Sequence, residues 1–217
     1  MTDQLVYDLL EKQATRITTL ERLVEKLTCS EHGSSGLITA EHTHAKLVAS
    51  DGDPDPAVSV DATGRVSNPY QTAFLAYNSV QDTNVTGDNT AVGVDFDTEV
   101  FDTGSDFDPG ASPSSTFTAP VTGKYLLSCS VRISGMDSGH TRVIGSFATS
   151  NRTIYFADIN AYACKSTVGL QIGGSVVADM DAGDTAIVQI TVYGVNKVVD
   201  IDGAAGPLTW FSGALVT

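Results

Sequence analysis

The sequence predicts a mainly β protein in which residues 72–217 form a sandwich or a barrel of short strands. The alternation is clearest in KYLLSCSVRIS, where apolar residues at every second position define one face of a strand: Tyr125, Leu127, Cys129, Val131 and Ile133. Turn-forming segments such as TGDN, DPGASP, MDSGH, DAGD and DGAAGP punctuate the region. No segment with helical periodicity interrupts it.

We predict strands near residues 73–80, 91–101, 115–119, 123–134, 141–149, 153–159, 166–178, 184–194 and 208–216. Pro120 is predicted to end a short strand, and Gly123 to form the turn from which the long strand returns. Cys129 lies on the apolar face of that strand, which predicts a small core residue. Together with Cys29 and Cys164 it forms no Cys-x-x-Cys pair and no disulfide framework.

Residues 1–28 are predicted to form a trimeric coiled coil. Its seam residues are spaced alternately by four and three: Val6, Leu10, Gln13, Ile17, Leu20, Val24 and Leu27. Leu9 and Leu23 widen the apolar stripe, which favours more than two helices. The alternative is an amphipathic helix that packs on its own domain. A Gly-Ser-Ser-Gly segment at residues 33–36 separates the helix from the rest of the chain and favours self-association.

Residues 29–71 contain short β segments that break too often for a compact domain, which predicts a thin neck or stalk. His42 and His44 form a His-x-His segment in this neck, and on an extended strand their imidazoles share one face. If three chains meet in parallel, six imidazole nitrogens converge on the axis, which suits an octahedral Fe²⁺ or another transition metal ion. The alternative is a pair of histidines without metal.

A weak calcium signal also lies in the neck. Asp51, Asp53 and Asp55 have the spacing of the first ligands of a calcium-binding loop. The EF-hand pattern also requires Gly and Glu at two later positions, where this chain has Pro56 and Ala62. The favoured interpretation is therefore an acidic turn.

No catalytic group is predicted, and the chain is expected not to be an enzyme. Asp137 and Ser138 precede His140 in one turn, where adjacent residues cannot form the geometry of a catalytic triad. Asp200 and Asp202 are predicted to be turn residues, with Ca²⁺ binding as a minor alternative. A solvated hairpin turn is predicted to hold a further acidic group: Asp179, Asp181 and Asp184.

The formal net charge of −14 disfavours nucleic acid as a partner, because binding to phosphates needs clustered Lys and Arg. It also disfavours attraction to an anionic membrane. No signal peptide and no apolar run of about 18 residues are visible, so we expect a protein made in a cytoplasm without membrane insertion.

Several motifs of residues 72–217 resemble those of the complement C1q and tumour necrosis factor-like jelly rolls. The matching positions are Phe101, Asp102, Phe107, Asp108, Phe117, Pro120, Gly123, Tyr125, Gly183, Asp184, Phe211, Ser212, Gly213 and Leu215. Leu127 and Cys129 depart from the family, where aromatic residues are usual. The resemblance implies a jelly-roll β-sandwich head that trimerises, with Gly183 and Asp184 in the penultimate hairpin.

The segment that enters the head resembles the lead-in to the distal domain of bacteriophage fibre proteins. The matching residues are Gly64, Arg65, Val66, Pro69, Tyr70, Gln71, Ala73 and Phe74. Trimeric phage fibres carry His-x-His iron sites, so this resemblance implies the same role for His42 and His44. It also implies that the chain is a virion protein.

We therefore expect a homotrimeric fibre or decoration protein of a phage or similar virus. Its N-terminal end is expected to bind other virion proteins, and its head a host surface glycan or protein, by residues that the sequence does not identify. Loops 103–114, 135–141, 160–166 and 195–207 are the expected recognition segments. Trp210 and Phe211 are expected in the core, with exposure at a trimer apex as the alternative. The alternative functions are a bacterial C1q-like lectin and a glycan depolymerase.

Overall fold

The computed structural model describes residues 11–13, 16–21, 46–47, 58–110, 114–161 and 169–217. Residues 11–13 and 16–21 are helical, and all of them are exposed. In these ranges, no helix has the length and apolar character needed to cross a membrane. The rest of the described secondary structure is β, which confirms the predicted class.

Sixteen strands follow one another along the described chain. They are β1 (Lys46–Leu47), β2 (Val58–Val60), β3 (Val66–Ser67), β4 (Ala73–Tyr77), β5 (Asp82–Thr86), β6 (Ala91–Gly93), β7 (Thr98–Asp102), β8 (Phe107–Asp108), β9 (Thr116–Thr118), β10 (Gly123–Ser134), β11 (Arg142–Thr149), β12 (Thr153–Asn160), β13 (Leu170–Met180), β14 (Thr185–Tyr193), β15 (Val199–Ile201) and β16 (Trp210–Leu215). The first three form a small antiparallel sheet in the segment predicted as a neck.

The other strands form two larger sheets. A seven-stranded sheet has the order β5-β15-β10-β16-β4-β7, and β13 pairs with β10 along most of its length. A six-stranded sheet has the order β12-β11-β14-β9-β8, and β6 pairs with β14. Every pairing in both sheets is antiparallel.

A common core lies between the two sheets, which confirms the predicted sandwich. Alternate residues of the two long strands β10 and β14 are buried: Tyr125, Leu127, Cys129, Val131, Ile133, Ala186, Val188, Ile190 and Val192. At one end of the core the Phe74 ring lies 4.8 Å from Phe107, 4.9 Å from Phe117 and 5.0 Å from Phe211 between centroids. Such ring pairs add to the free energy gained by burying apolar area.

Close packing at this cluster explains one glycine. A Cβ atom added to Gly213 would lie 2.5 Å from Cε1 of Phe74. Any other residue at this position would push the Phe74 ring out of its place between the sheets. The glycine of the predicted final strand is therefore required by the core.

Two predicted hairpins are wrong, because the turns join strands of different sheets. β9 belongs to the six-stranded sheet and β10 to the seven-stranded one, so the long strand does not return along the short one. β13 and β14 are likewise in different sheets. Gly183 still provides the turn between them with a φ of 91°, which favours glycine. Alternation and turn residues reveal a strand and its end but do not identify its partner.

The prediction of one strand over residues 91–101 is also wrong. This stretch contains β6 of the six-stranded sheet and β7 of the seven-stranded sheet. Between them Val94 and Phe96 are both fully buried. The alternation of apolar residues therefore continues through a segment that belongs to neither strand. Three short strands were not predicted: β5, β8 and β15. Two of these lie in segments predicted to be recognition loops.

Candidate functional site

The outer side of the seven-stranded sheet carries a broad surface without charged residues. Outward positions on four adjacent strands form this surface, which we call the uncharged face: Ala73, Leu75, Tyr77, Leu126, Ser128, Ser130, Gly173, Ser175, Val177, Trp210, Ser212 and Ala214. Leu126 is 41% exposed and Val177, its cross-strand partner, is 54% exposed. A surface of this kind is unusual on a chain with a net charge of −14.

The serine hydroxyls of the uncharged face are hydrogen-bonded within the chain. The hydroxyls of Ser128 and Ser175 lie 2.8 Å apart across β10 and β13. Ser130 Oγ accepts a 2.9 Å hydrogen bond from Gln171 Nε2. Hydroxyls that already have hydrogen-bond partners within the chain have a smaller desolvation penalty than hydroxyls that bond only to water. The face is therefore suited to burial against another surface.

Ion pairs flank the uncharged face at its two ends. At one end Arg132 Nε lies 3.1 Å from Asp202 Oδ2, and Ser134 Oγ donates to the same carboxylate. At the other end Arg152 Nη2 lies 2.9 Å from Asp179 Oδ2. The outward charged residues of β10 and β13, which are Lys124, Arg132 and Asp179, thus lie at the margins of the face.

A depression of about 430 Å³ opens at the edge of this face. Its lining consists of Leu75, Phe101, Pro207, Trp210 and Ser212. Trp210 is partly buried on the outer side of the sheet, whereas Phe211 is fully buried in the core. The core prediction is therefore right for Phe211 and wrong for Trp210, because consecutive strand residues point to opposite sides.

His140 is fully buried in the loop 135–141, where both ring nitrogens have backbone partners. Nδ1 accepts a 2.9 Å hydrogen bond from the backbone N–H of Asp137. Nε2 lies 3.1 Å from the backbone oxygen of Asn196, which assigns the proton to Nε2. No ring nitrogen remains for Ser138, an exposed residue of the same turn. The imidazole therefore fastens two loops together, and it has neither the access nor the free nitrogen that a general base needs.

Near the same end of the sandwich as His140, acidic side chains accept hydrogen bonds from neighbouring groups of the chain. Asp200 Oδ1 accepts from the N–H of Asn84 at 2.7 Å, and Gln81 Nε2 donates to the carboxylates of both Asp200 and Asp202. Partial burial raises the pKa of Asp82, and its neighbours Asp95 and Asp97 raise it further. Among the described residues, no three His, Cys, Asp or Glu side chains are grouped to hold a metal ion.

In the turn 181–184 a carboxylate likewise accepts hydrogen bonds from nearby groups of the chain. Asp184 accepts hydrogen bonds from the N–H of Asp181 at 2.7 Å and from the Ser150 hydroxyl at 2.8 Å. These bonds lower the pKa of Asp184, with the Asp181 bond as the largest cause. Asp181 and Asp184 lie in a turn, as predicted, although it joins strands of different sheets. Asp179 was wrongly placed in that turn, because it is a residue of β13 and pairs with Arg152.

Cys129 is buried in the core, as predicted. Burial raises the pKa of its thiol to about 12. A thiol that stays protonated at neutral pH is neither a nucleophile nor a metal ligand. Cys129 is therefore a packing residue.

Several predicted site residues lie outside the described residues. They are His42, His44, Asp51, Asp53, Asp55 and four seam positions, Val6, Leu10, Val24 and Leu27. The metal ligands proposed from the sequence therefore stay predictions. Of the other seam positions, Gln13, Ile17 and Leu20 lie in the described helical residues. Ile17 is 55% exposed and Leu20 is 61% exposed, so neither packs on the described part of the head.

Sequence reasoning missed the uncharged face, although the sequence contains a signal for it. In KYLLSCSVRIS the second set of alternate residues is charged only near its ends, at Lys124 and Arg132, and its middle consists of Leu126, Ser128 and Ser130. An exposed strand face normally carries charged side chains. What the sequence does not contain is the order of the strands that place similar residues beside these three.

Comparison with known proteins finds no matching family model and no matching curated protein. Among solved structures, the chain is similar to the globular domain of zebrafish complement 1qA protein, with 19% identity, a TM-score of 0.44 and coverage of 68% of this chain and 98% of that chain. It is also similar to murine APRIL at pH 8.5, with 13% identity, a TM-score of 0.43 and coverage of 67% and 99%. For murine APRIL at pH 5.0 the identity is 12%, the TM-score 0.44 and the coverage again 67% and 99%.

We expect the substitution His140→Ala to lower the free energy of unfolding by about 2–4 kcal/mol, because it leaves a cavity and two unpaired backbone groups. Urea denaturation followed by circular dichroism measures the change. Ser138→Ala, two residues away and exposed, is the control and should change stability by less than about 0.5 kcal/mol. Equal effects of the two substitutions would contradict the role given to the buried imidazole.

Proposed function

We propose that this chain is a homotrimeric structural and adhesive protein of the fibre or decoration type, from a phage or similar virus. In this proposal the heads self-associate through the uncharged face of the seven-stranded sheet. The observation that carries the proposal is the absence of charge on this face of a chain with a net charge of −14. Copies with that charge repel one another, and the repulsion is reduced where the surfaces that meet carry no acidic groups.

The energetics of the face favour burial. Its apolar part includes Leu75, Leu126, Val177 and Trp210, and each Å² removed from water contributes roughly 25 cal/mol. Its serines already have partners within the chain, so covering them costs little. Because the ion pairs lie at the margins, no charge has to leave water at the centre of the contact.

The N-terminal helix supports the same assembly. Ile17 and Leu20 are exposed apolar residues at seam positions, and a parallel bundle of helices would cover them. If the helix and the head both self-associate, the two contacts share one symmetry axis. A closed ring of three chains is compatible with both contacts. A parallel trimer would also bring three copies of His42 and His44 to the axis, where they would hold Fe²⁺ or a similar ion.

In the virion, the helical end would attach to other virion proteins and the head would contact the host surface. Three heads on one stem multiply weak contacts through effective concentration. No catalytic role is part of this proposal.

We expect a mass of three times 22.7 kDa by light scattering coupled to size-exclusion chromatography. Val177→Lys should reduce this mass to that of one chain at micromolar concentration, because an unpaired ammonium would be buried in the contact. Val195→Lys is the matched control, since Val195 lies off the uncharged face and is 79% exposed. A monomeric parent protein, or a trimeric Val177→Lys variant that is still folded, would overturn this part of the proposal.

Deletion of residues 1–28 should weaken the trimer without unfolding the head, because the head has its own core. Sedimentation equilibrium measures the association, and near-ultraviolet circular dichroism reports the packing of the aromatic cluster. Shortened chains that are monomeric and have also lost the near-ultraviolet signal would show that the helix stabilises the head itself.

A further inference from the structure

The outer side of the six-stranded sheet carries a built group of aromatic and charged side chains. Arg142 lies at the start of β11, between Tyr193 of β14 and the strand β12 that carries Tyr155 and Asp158. We call these four residues the tyrosine–arginine platform. Tyr155 is 68% exposed, which is unusual for a large aromatic side chain on a strand.

Contacts of Arg142 with Asp158 and Tyr193 fix the geometry of the charged part of the platform. Arg142 Nε and Nη2 each donate a 2.7 Å hydrogen bond to one oxygen of Asp158, which makes the pair bidentate. The guanidinium carbon lies 5.4 Å from the centroid of the Tyr193 ring. Tyr155 lies opposite Ser146, four residues along β11 from Arg142. Planar groups on paired strands are thus held before any ligand arrives.

The platform keeps free hydrogen-bonding capacity. Nη1 of Arg142 takes no part in the Asp158 pair. Within the described chain neither the Tyr155 nor the Tyr193 phenol makes a hydrogen bond, and each Asp158 oxygen keeps a second lone pair. The side chain of Arg142 is 48% exposed and that of Asp158 is 57% exposed. A ligand on this surface therefore meets donors, acceptors and an open aromatic ring together.

We propose that the tyrosine–arginine platform binds an uncharged sugar residue of a glycan, with the pyranose ring against Tyr155. The C–H groups on one side of such a ring pack on an aromatic face. Its neighbouring hydroxyls both donate and accept, which matches Nη1, the phenols and the Asp158 oxygens. The inference rests on the proposed adhesive function and gives that function a site and a ligand class.

Charge selects a neutral ligand over an anionic one. The platform contains one guanidinium and one carboxylate, so its own charge is zero, while the whole chain has a net charge of −14. That field repels acidic sugars and phosphates. The paired Asp158 also reduces the attraction that Arg142 would offer to an anion.

The surroundings favour a sugar over a protein partner. A protein interface needs about 800 Å² on each side with an apolar centre. The neighbouring outward residues are Gln189 and Thr191 of β14, which are polar, and Ile144 of β11, which is half-buried. Two tyrosine rings give enough apolar surface for a single sugar ring and too little for a protein interface. The platform also lies on the opposite side of the sandwich from the uncharged face, so it stays accessible in the proposed trimer.

Saturation-transfer difference NMR on the full chain tests the inference, with the methyl glycosides of glucose, galactose, mannose and N-acetylglucosamine as probes. We expect at least one of the four to bind with a Kd in the millimolar range. Tyr155→Ser should weaken that binding at least tenfold, because it removes the exposed ring. Tyr70→Ser is the matched control, since Tyr70 is 61% exposed but lies at the entry to the head, and this variant should bind as the parent does.

Light scattering on the same samples separates the two proposals. A trimer that gives no saturation transfer to any of the four sugars overturns the sugar site and leaves the assembly standing. Binding that Tyr155→Ser leaves unchanged also overturns the site, provided that the variant melts at the temperature of the parent. A monomer that binds a sugar through Tyr155 supports the site and overturns the trimer.

Discussion

The structure depends on the burial of two inner sheet faces against each other, and above all on the strands β10 and β14. Alternate residues of both strands are fully or almost fully buried, and each strand has partners on both sides. The Phe74 cluster closes one end of this layer, where Gly213 leaves room for the ring. Close packing of this kind makes the two outer sides rigid surfaces. Side chains that point outward are therefore held in defined places.

Those two outer sides have different chemistry. One has an uncharged central surface, contains serines that bond to each other, and carries ion pairs at the margins of that surface. The other presents Arg142 in fixed contact with Asp158 and Tyr193, and Tyr155 on the neighbouring strand β12. A sandwich supports this division because residues of the same strand alternate between core and surface. The buried loop contact of His140 holds one end of the sandwich in place and takes no part in either surface.

Sequence patterns predicted the strands well where alternation was long and turns were marked, as in β10 and β14. They failed where a strand is only two to five residues long, as in β5, β8 and β15. They also failed for strand partners, since a Gly or Asp turn looks the same within a sheet and between sheets. The outer surfaces escaped prediction for a related reason. Leu126, Val177 and Trp210 are far apart in sequence, and only the order of β13, β10 and β16 brings them onto one surface.

The position of β16 has a consequence for synthesis. This strand ends two residues before the last described residue, Thr217, yet it lies between β10 and β4 in the middle of its sheet. Until it leaves the ribosome, the edges of β10 and β4 have no partner there, and Phe211 is missing from the core. Trp210, Ser212 and Ala214 belong to the same strand, so the uncharged face is complete only after β16 has docked between its two neighbours. Closing the core and completing this outer surface are therefore one step of folding.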